Sequence, residues 1–158
     1  MSLACHAWNS MLNGHFKESQ PATSDKQREV ALPDDNPDAL KILLNISHLR
    51  FDLIPSILWY HVFLDVTVLT DKYDATRLIR PWASSWISGV QHLALKLGHE
   101  EWLWIAWELG QRHMFNKLTD YLVKTARLHK DGRCLTENHT ILDLHQNLPP
   151  DILGMHIS

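Results

Sequence analysis

A proline-bounded block of short polar residues fixes where the first long helix of this chain begins. Asp35 or Asn36 can accept hydrogen bonds from the first backbone N–H groups, and Pro37 suits the first helical position. Asp38 follows in the first turn, where the helix dipole favours a carboxylate. The pattern predicts a helix that continues to about Leu49 and packs on two sides. Its apolar arc contains Leu40, Ile42, Leu43, Leu44, Ile46 and Leu49.

Helical spacing of apolar residues continues through most of the chain. Pro81 predicts a kink or a restart, because proline removes a backbone donor, and Gly110 is a suitable left-handed stop. The polar stretch Glu18–Gln27 predicts a loop, whereas Arg28–Leu32 predicts a short strand. The expected fold class is therefore mainly α with a small β remnant. The other predicted helices are Leu3–Phe16, Trp59–Lys72, Ala75–Ser88, Glu100–Leu109 and Met114–Leu128.

The last predicted helix carries both an inward face and a surface ion pair. Asp120 and Lys124 can pair across one turn on the outer side. Beyond the helix, Lys130–Arg133 predicts a tight turn, and Pro149 with Pro150 should end the last apolar segment, Ile141–Leu148. The residues expected to point inward from this helix are Met114, Leu118, Tyr121, Leu122 and Leu128.

Length and composition are those of one soluble globular domain. The chain has 158 residues, of which 45% are hydrophobic and 21% are charged. Its formal net charge is -3, and the lysine and arginine residues are scattered along the sequence. Because phosphate backbones attract a concentrated positive field, binding to nucleic acid is disfavoured.

Cysteine usage and hydropathy favour an intracellular protein. Cys5 and Cys134 are far apart and form neither a metal-type spacing nor a disulfide framework, so reduced thiols are expected. The first residues lack the basic start and apolar run of a secretory signal, and no apolar stretch is long enough to cross a bilayer. No membrane partner is therefore expected. The glycosylation sequons at Asn45 and Asn138 are then chance matches.

The histidines are the first place to look for a reaction centre. His99 and Glu100 begin like a zinc-protease helix, but the second ligand is due one turn later, where Leu103 stands. Solvated or core histidines are therefore the favoured interpretation. Two other pairs can approach one another without a completing set of ligands: His92 with His99, and His139 with His145.

No other catalytic pattern is present. Asp34, Asp35 and Asp38 resemble a calcium-binding cluster, but helix capping explains them better. The sequence contains no Gly-x-Ser-x-Gly turn and no glycine-rich phosphate loop. We therefore assign no catalytic, metal-binding or cofactor-binding residue and expect a protein that is not an enzyme. A metal-dependent enzyme that uses the histidines is the alternative from another class.

Seven tryptophans are unusual in so short a chain. Trp102 fits one arc of a helix with Ile105 and Leu109, while Trp104 and Trp107 fit an adjoining arc. At least one of these indoles should therefore approach the surface. Core filling is the favoured role, and an aromatic anchor for a partner is the alternative.

Three blocks of sequence occur in an informative order. The first block is Ser2–Ser19. In it an aromatic residue (Trp8), a Met-Leu pair (Met11 and Leu12) and a second aromatic residue (Phe16) follow one another, and the block ends in Lys17, Glu18 and Ser19. The second block is Val30–Leu40. The third block is Leu64–Asp74, which contains Leu69, Asp71, Lys72 and Tyr73. Together they resemble the second half of a BTB/POZ domain, closest to the fungal kind, over residues 2–88.

The resemblance implies a specific domain organisation. Residues 1–88 would form a partial BTB/POZ-like domain with one short strand, and residues 89–158 would form a C-terminal helical extension packed on it. Domains of this family begin with a helix and a β-hairpin that would precede Met1. A truncated domain that lacks much of the usual homodimer contact is therefore expected.

The resemblance also implies a function. Such a domain is a non-catalytic protein–protein interaction module that acts as a scaffold or adaptor. Its partners are other proteins, with which it forms a homo- or hetero-oligomer. One alternative is a substrate adaptor of a cullin-3 ubiquitin ligase, although Leu49, Arg50 and Phe51 lack the acidic residue of the usual triplet. Another is a degenerate remnant with no independent function. The partner-binding residues are not identified by the sequence.

Overall fold

The computed structural model describes residues 5–14, 30–137, 139, 141–142, 147–150 and 152. Within these residues the chain has six α-helices and one small two-stranded sheet, which confirms the mainly α fold class. The helices are α1 (His6–Asn13), α2 (Pro37–Ser47), α3 (Tyr60–Lys72), α4 (Thr76–Val90), α5 (Trp102–Glu108) and α6 (Arg112–Thr125), and the strands are β1 (Arg127–Leu128) and β2 (Cys134–Leu135).

Several predicted features lie outside the described residues. The predicted first helix is confirmed only over α1, because Leu3 and Phe16 are not among the residues described. The same holds for the loop Glu18–Gln27, Arg28 and Glu29 of the predicted strand, the sequon residues Asn138 and Thr140, and His145.

The predicted strand Arg28–Leu32 is wrong over its described end. Val30, Ala31 and Leu32 have irregular backbone and lead into a turn in which the Asp35 N–H donates to the Leu32 carbonyl at 3.2 Å. A strand requires a partner for its N–H and C=O groups. No described residue pairs with this segment in a sheet.

Two compact units divide the chain, Met1–Ser85 and Trp86–Ser158. Each has its own apolar core. The first core contains Cys5, Trp8, Ala39, Ile42, Leu43, Ile46, Leu58, Phe63, Leu64, Val66, Leu69, Tyr73, Ala75 and Ile79. The second contains Trp86, Val90, Ala94, Trp102, Leu103, Ile105, Ala106, Leu118, Leu122, Leu135, Leu142 and Ile152.

The start of α2 follows the predicted capping chemistry. The side chain of Asn36 accepts from the N–H groups of Asp38 at 3.0 Å and Ala39 at 3.1 Å, and Pro37 occupies the first helical position. Asn36, not Asp35, is therefore the cap. Asp35 is instead buried, so its side chain is available for an interaction within the core.

Two predictions for the middle of the chain are settled by α3 and α4. The predicted helix Trp59–Lys72 is confirmed from Tyr60 onward, and Val66, Leu69 and Tyr73 are buried. The sequence predicts a kink or a restart at Pro81, and because α4 continues through Pro81, the restart does not occur. Because Pro81 is exposed, the backbone carbonyl one turn earlier that loses its donor can be satisfied by solvent.

The second unit confirms one predicted helix end and corrects another. The Gly110 N–H donates to the Trp107 carbonyl, and the Gln111 N–H donates to the Ala106 carbonyl, as in a Schellman ending. Gly110 has a φ of 65°, which glycine adopts without strain. The predicted helix Met114–Leu128 instead begins at Arg112 and ends at Thr125.

A β-hairpin replaces the last turn of that predicted helix. β1 and β2 are antiparallel, with Arg127 opposite Leu135 and Leu128 opposite Cys134. The turn between them, predicted from Lys130–Arg133, is confirmed, and its Gly132 has a φ of 84°. Leu128 was expected to point inward but is 72% exposed, because the chain leaves the helix before reaching it. The predicted ion pair between Asp120 and Lys124 is not formed.

None of the described helices combines the length and apolar character needed to cross a membrane.

Candidate functional site

A buried polar cluster in the first unit joins the turn before α2 to the end of α3. The Asp35 side chain is fully buried, and both of its oxygens accept hydrogen bonds. Lys72 Nζ donates to Oδ1 at 2.5 Å, and the Tyr73 phenol donates to Oδ2. A buried carboxylate without partners is strongly unfavourable. This cluster therefore fixes the position of α2 relative to α3.

Tyr73 is also the point at which α1 meets the rest of the first unit. The Trp8 and Tyr73 rings lie with their centroids 5.2 Å apart, and Trp8 is fully buried. The Cys5 thiol donates to the Tyr73 carbonyl at 2.5 Å. Cys5 and Trp8 belong to the first of the three sequence blocks, Asp35 to the second and Tyr73 to the third. All three blocks thus converge on one side chain.

The chemistry of this cluster is structural. Burial raises the pKa of the Tyr73 phenol above its ordinary value of 10.0, and the hydrogen bond to Asp35 and the charge of Asp35 raise it further. Tyr73 therefore remains a neutral donor at physiological pH. Because both oxygens of Asp35 are occupied and the side chain is inaccessible, this carboxylate is not positioned to act on a substrate.

A second polar contact ties α2 to α3. Asn36 Nδ2 donates to Asp65 Oδ2 at 2.8 Å, while the Asn36 side-chain oxygen caps α2. Burial raises the pKa of Asp65, an effect that the nearby His61 opposes. Asn36 therefore uses both ends of its amide to hold the two helices together.

Within the described part of the first unit, the exposed large apolar side chains are concentrated in the connection between α2 and α3, which we call the apolar loop (residues 49–59). It contains five large apolar side chains that are at least about half exposed. On most monomeric proteins, exposed apolar residues are instead scattered singly over the surface. They are Leu49 at 74%, Phe51 at 53%, Leu53 at 48%, Ile57 at 68% and Trp59 at 78% exposure. Such a concentration is typical of a surface that another molecule covers.

The apolar loop is held in a defined conformation. At its start, the Leu49 N–H donates to the Ile46 carbonyl and the Arg50 N–H to the Asn45 carbonyl, so α2 ends in a Schellman motif. Leu49 occupies the left-handed position, with a φ of 58°, where glycine is normally preferred. The loop therefore keeps an exposed leucine at a position of backbone strain.

Two contacts position the rest of the loop against α4. The ring of Phe51 lies with its centroid 5.6 Å from that of Trp82, and the Ser85 hydroxyl donates to the Ser56 carbonyl at 2.8 Å. The only charges in the loop, on Arg50 and Asp52, lie 3.8 Å apart and are both exposed. The loop is consequently a supported, electrically neutral surface.

Sequence reasoning did not identify this surface. The apolar spacing predicts Leu49 as part of the packed arc of the helix that begins at Pro37, and it predicts no helix or strand between Leu49 and Trp59. A signal was present, because residues 49–59 contain Ile54 and Leu58 in addition to the five exposed side chains. Seven large apolar residues without helical periodicity between two helices indicate an apolar connection that local packing cannot bury completely.

Among the described residues, the histidines and aspartates considered in the sequence do not converge on a metal site. No group of three or more histidine, cysteine, aspartate or glutamate side chains in the described part of the chain could hold a metal ion. His99 Nδ1 lies 3.2 Å from the Leu97 carbonyl, and Leu103, at the position where a zinc site needs a ligand, is buried. Asp34 and Asp38 are exposed, whereas Asp35 points inward.

The tryptophans of α5 divide as their spacing predicted. Trp102 is fully buried with Ile105, whereas Trp107 is 40% exposed, which confirms that at least one indole approaches the surface. The rings of Trp104 and Trp107 have centroids 5.3 Å apart. Trp107 borders an open cleft of about 280 Å³ that is also lined by Ala106, Gly110, Arg112 and Phe115.

No protein-family model matches the sequence, no curated protein is significantly similar to it, and no solved structure matches its fold at a significant level.

Proposed function

We propose that this chain is an intracellular, non-catalytic protein–protein interaction module of the BTB/POZ type that acts as a scaffold or adaptor. The observation that carries the proposal is the apolar loop, which concentrates five exposed apolar side chains in eleven consecutive residues. What supports the family assignment is that the three family-like sequence blocks converge on Tyr73.

The area of the apolar loop suits a protein partner. A fully exposed aromatic side chain has roughly 150–250 Å² of surface and leucine or isoleucine has less, so the five fractions amount to on the order of 500 Å². The largest apolar patch on a typical monomer is about 300–600 Å², and a stable interface covers about 800 Å² on each partner. The loop alone would therefore supply most of one side of such an interface.

A second copy of the chain is the partner that this surface favours. A two-fold interface brings the same patch onto itself, so a patch with a net charge would repel its copy. The apolar loop carries one cation and one anion, Arg50 and Asp52, which lie close to each other. Its neutrality and its area are both compatible with self-association.

The test compares two double variants by size-exclusion chromatography with light scattering over a range of concentrations. Ile57→Glu with Trp59→Glu places charge in the apolar loop, and Leu95→Glu with Leu97→Glu does the same at two exposed leucines of the second unit. We expect the parent chain and the control to form dimers and the loop variant to be monomeric. Circular dichroism melts should remain cooperative for all three.

Each contrary result has a definite meaning. A parent chain that stays monomeric rejects the second copy as the partner. Dimers that survive both substitutions in the apolar loop reject this loop as the docking surface. A parent chain without a cooperative melt supports the degenerate remnant instead.

A further inference from the structure

A strongly basic surface lies in the second unit, on what we call the basic hairpin (residues 124–133), which extends from the end of α6 through β1 and the following turn. It contains four lysine or arginine residues and one aspartate in a chain whose net charge is -3. The four cationic residues are Lys124, Arg127, Lys130 and Arg133, and all are exposed. The end of α6 and the hairpin thus concentrate positive charge on a chain that is acidic as a whole.

Three of these cations are available for a partner. Asp131 is occupied by Arg133, with Nη2 at 2.5 Å and Nε at 2.7 Å, and by His129 at 2.7 Å. The hydrogen bonds from Arg133 and His129 hold the pKa of Asp131 well below its usual range, so this carboxylate remains charged. Lys124, Arg127 and Lys130 form no ion pair with a carboxylate among the described residues.

The basic hairpin also presents a strand edge. β2 pairs with β1 on one side and bridges to Ile141 through Leu135, so β1 is an edge strand among the residues that the structure describes. The His129 N–H donates to the Arg133 carbonyl at 2.8 Å. Backbone groups alternate in direction along an antiparallel strand, so the N–H and C=O of Leu128 point away from β2.

Leu128 adds an apolar element to this edge. Its side chain is 72% exposed and lies between the basic residues Arg127 and Lys130. An added strand would pair with the outward backbone groups of Leu128, cover its side chain and bring carboxylates to the flanking cations. A nucleic acid would satisfy the charge but neither the backbone groups nor the leucine.

We propose that the basic hairpin binds an extended segment of another protein in which acidic and apolar residues alternate, and that this segment adds to β1 as a further strand. The partner's acidic side chains face Arg127 and Lys130, and an apolar side chain covers Leu128. This activity is separate from the apolar loop and does not depend on self-association.

The probe is a short fluorescein-labelled peptide of alternating valine and glutamate, and its binding to the full chain is followed by fluorescence anisotropy. Two peptides serve as controls, one with lysine in place of glutamate and one with alternate backbone nitrogens methylated, which blocks strand pairing. We expect binding of the first peptide to weaken as salt is added. Both control peptides should bind at least about tenfold more weakly than the first peptide.

Variants of the protein separate charge from strand addition. Arg127→Glu with Lys130→Glu should weaken binding by about tenfold or more, whereas Lys41→Glu, an exposed site in the first unit, should leave it unchanged. Leu128→Ala removes the apolar side chain, and Leu128→Pro also removes the outward N–H. Because that N–H points away from β2, proline leaves the pairing with β2 in place. Leu128→Pro should bind more weakly than Leu128→Ala.

Three results would overturn the proposal. One is the absence of binding to the valine–glutamate peptide at low ionic strength. Another is equal binding of the methylated and unmethylated peptides to the parent chain, a comparison that needs no variant to fold. The third is tighter binding of a single-stranded oligonucleotide of equal charge, which would identify a general polyanion surface instead of a strand-adding one.

Discussion

The Tyr73 phenol donates a hydrogen bond to the buried carboxylate of Asp35, 38 positions earlier in the chain. The same carboxylate accepts from Lys72, and the Tyr73 ring packs on Trp8. One buried carboxylate and one phenol therefore connect α1, α2 and α3. This connection makes the stability of the first unit depend on a few side chains.

Replacing Asp35 should destabilise the protein strongly. Asp35→Ala leaves the Tyr73 hydroxyl buried without its acceptor and Lys72 without its anion, so we expect the free energy of unfolding to fall by about 2–3 kcal/mol. Asp34→Ala, at the exposed neighbouring position, should change it by less than about 0.5 kcal/mol. Urea unfolding followed by circular dichroism measures both. Equal losses for the two variants would show that Asp35 contributes only to the turn that its N–H closes with the Leu32 carbonyl, and not through its carboxylate.

Removing the Tyr73 hydroxyl should change how stability depends on pH. The folded-state pKa of Tyr73 is raised above 10.0. Below pH 10.0 the phenol keeps its proton in both the folded and the unfolded protein, and the contribution of the hydroxyl to the free energy of unfolding is fully present. Above it the unfolded chain loses the proton first, so the stability that the hydroxyl contributes is lost as pH rises. Tyr73→Phe should be less stable than the parent at neutral pH, and the difference should shrink above pH 10.

The measurement for this prediction is urea unfolding of the parent and Tyr73→Phe at matched pH values from about 8 to 11. Other groups titrate in this range in both proteins, so only the difference between the two curves matters. A difference that stays constant across the range would contradict the raised pKa.

Relief of backbone strain at Leu49 should stabilise the fold. Leu49 has a φ of 58° and is mostly exposed, so glycine removes the steric cost of Cβ while little packing is lost. We expect Leu49→Gly to raise the free energy of unfolding by about 0.5–1 kcal/mol. Leu49→Ala shortens the side chain but keeps Cβ and should give no comparable gain. Both should be measured at low protein concentration, so that association does not contribute.

The two kinds of tryptophan in α5 should respond differently to truncation. Trp102 is fully buried, so Trp102→Ala should cost about 3–5 kcal/mol through lost burial and the cavity left behind. Trp107 is partly exposed and keeps mainly its ring contact with Trp104, so Trp107→Ala should cost about 1 kcal/mol. Thermal unfolding of the two variants ranks them. A larger loss for Trp107→Ala would mean that its indole is covered in solution.

Most helices, but not their contacts, could be predicted from the sequence. The start of α2 and the end of α5 follow from chemistry within a few residues, Asn36 with Pro37 in one case and Gly110 in the other. The end of α6 could not be placed in this way, because the residues up to Leu128 keep a helical apolar spacing although the chain turns into a hairpin after Thr125. There the pairing of β1 with β2 outweighs local periodicity.

The sequence by itself determined that this chain is mainly helical and where most helices begin, because capping and periodicity act between residues that are neighbours along the chain. Only the tertiary structure decided that Asn36 caps α2 while Asp35 is buried, since that choice depends on Lys72 and Tyr73 from a distant helix. Likewise, only packing decides which apolar residues lack a partner. Which of the apolar side chains in the loop are exposed, and the exposure of Leu128, could therefore be seen only in the folded chain.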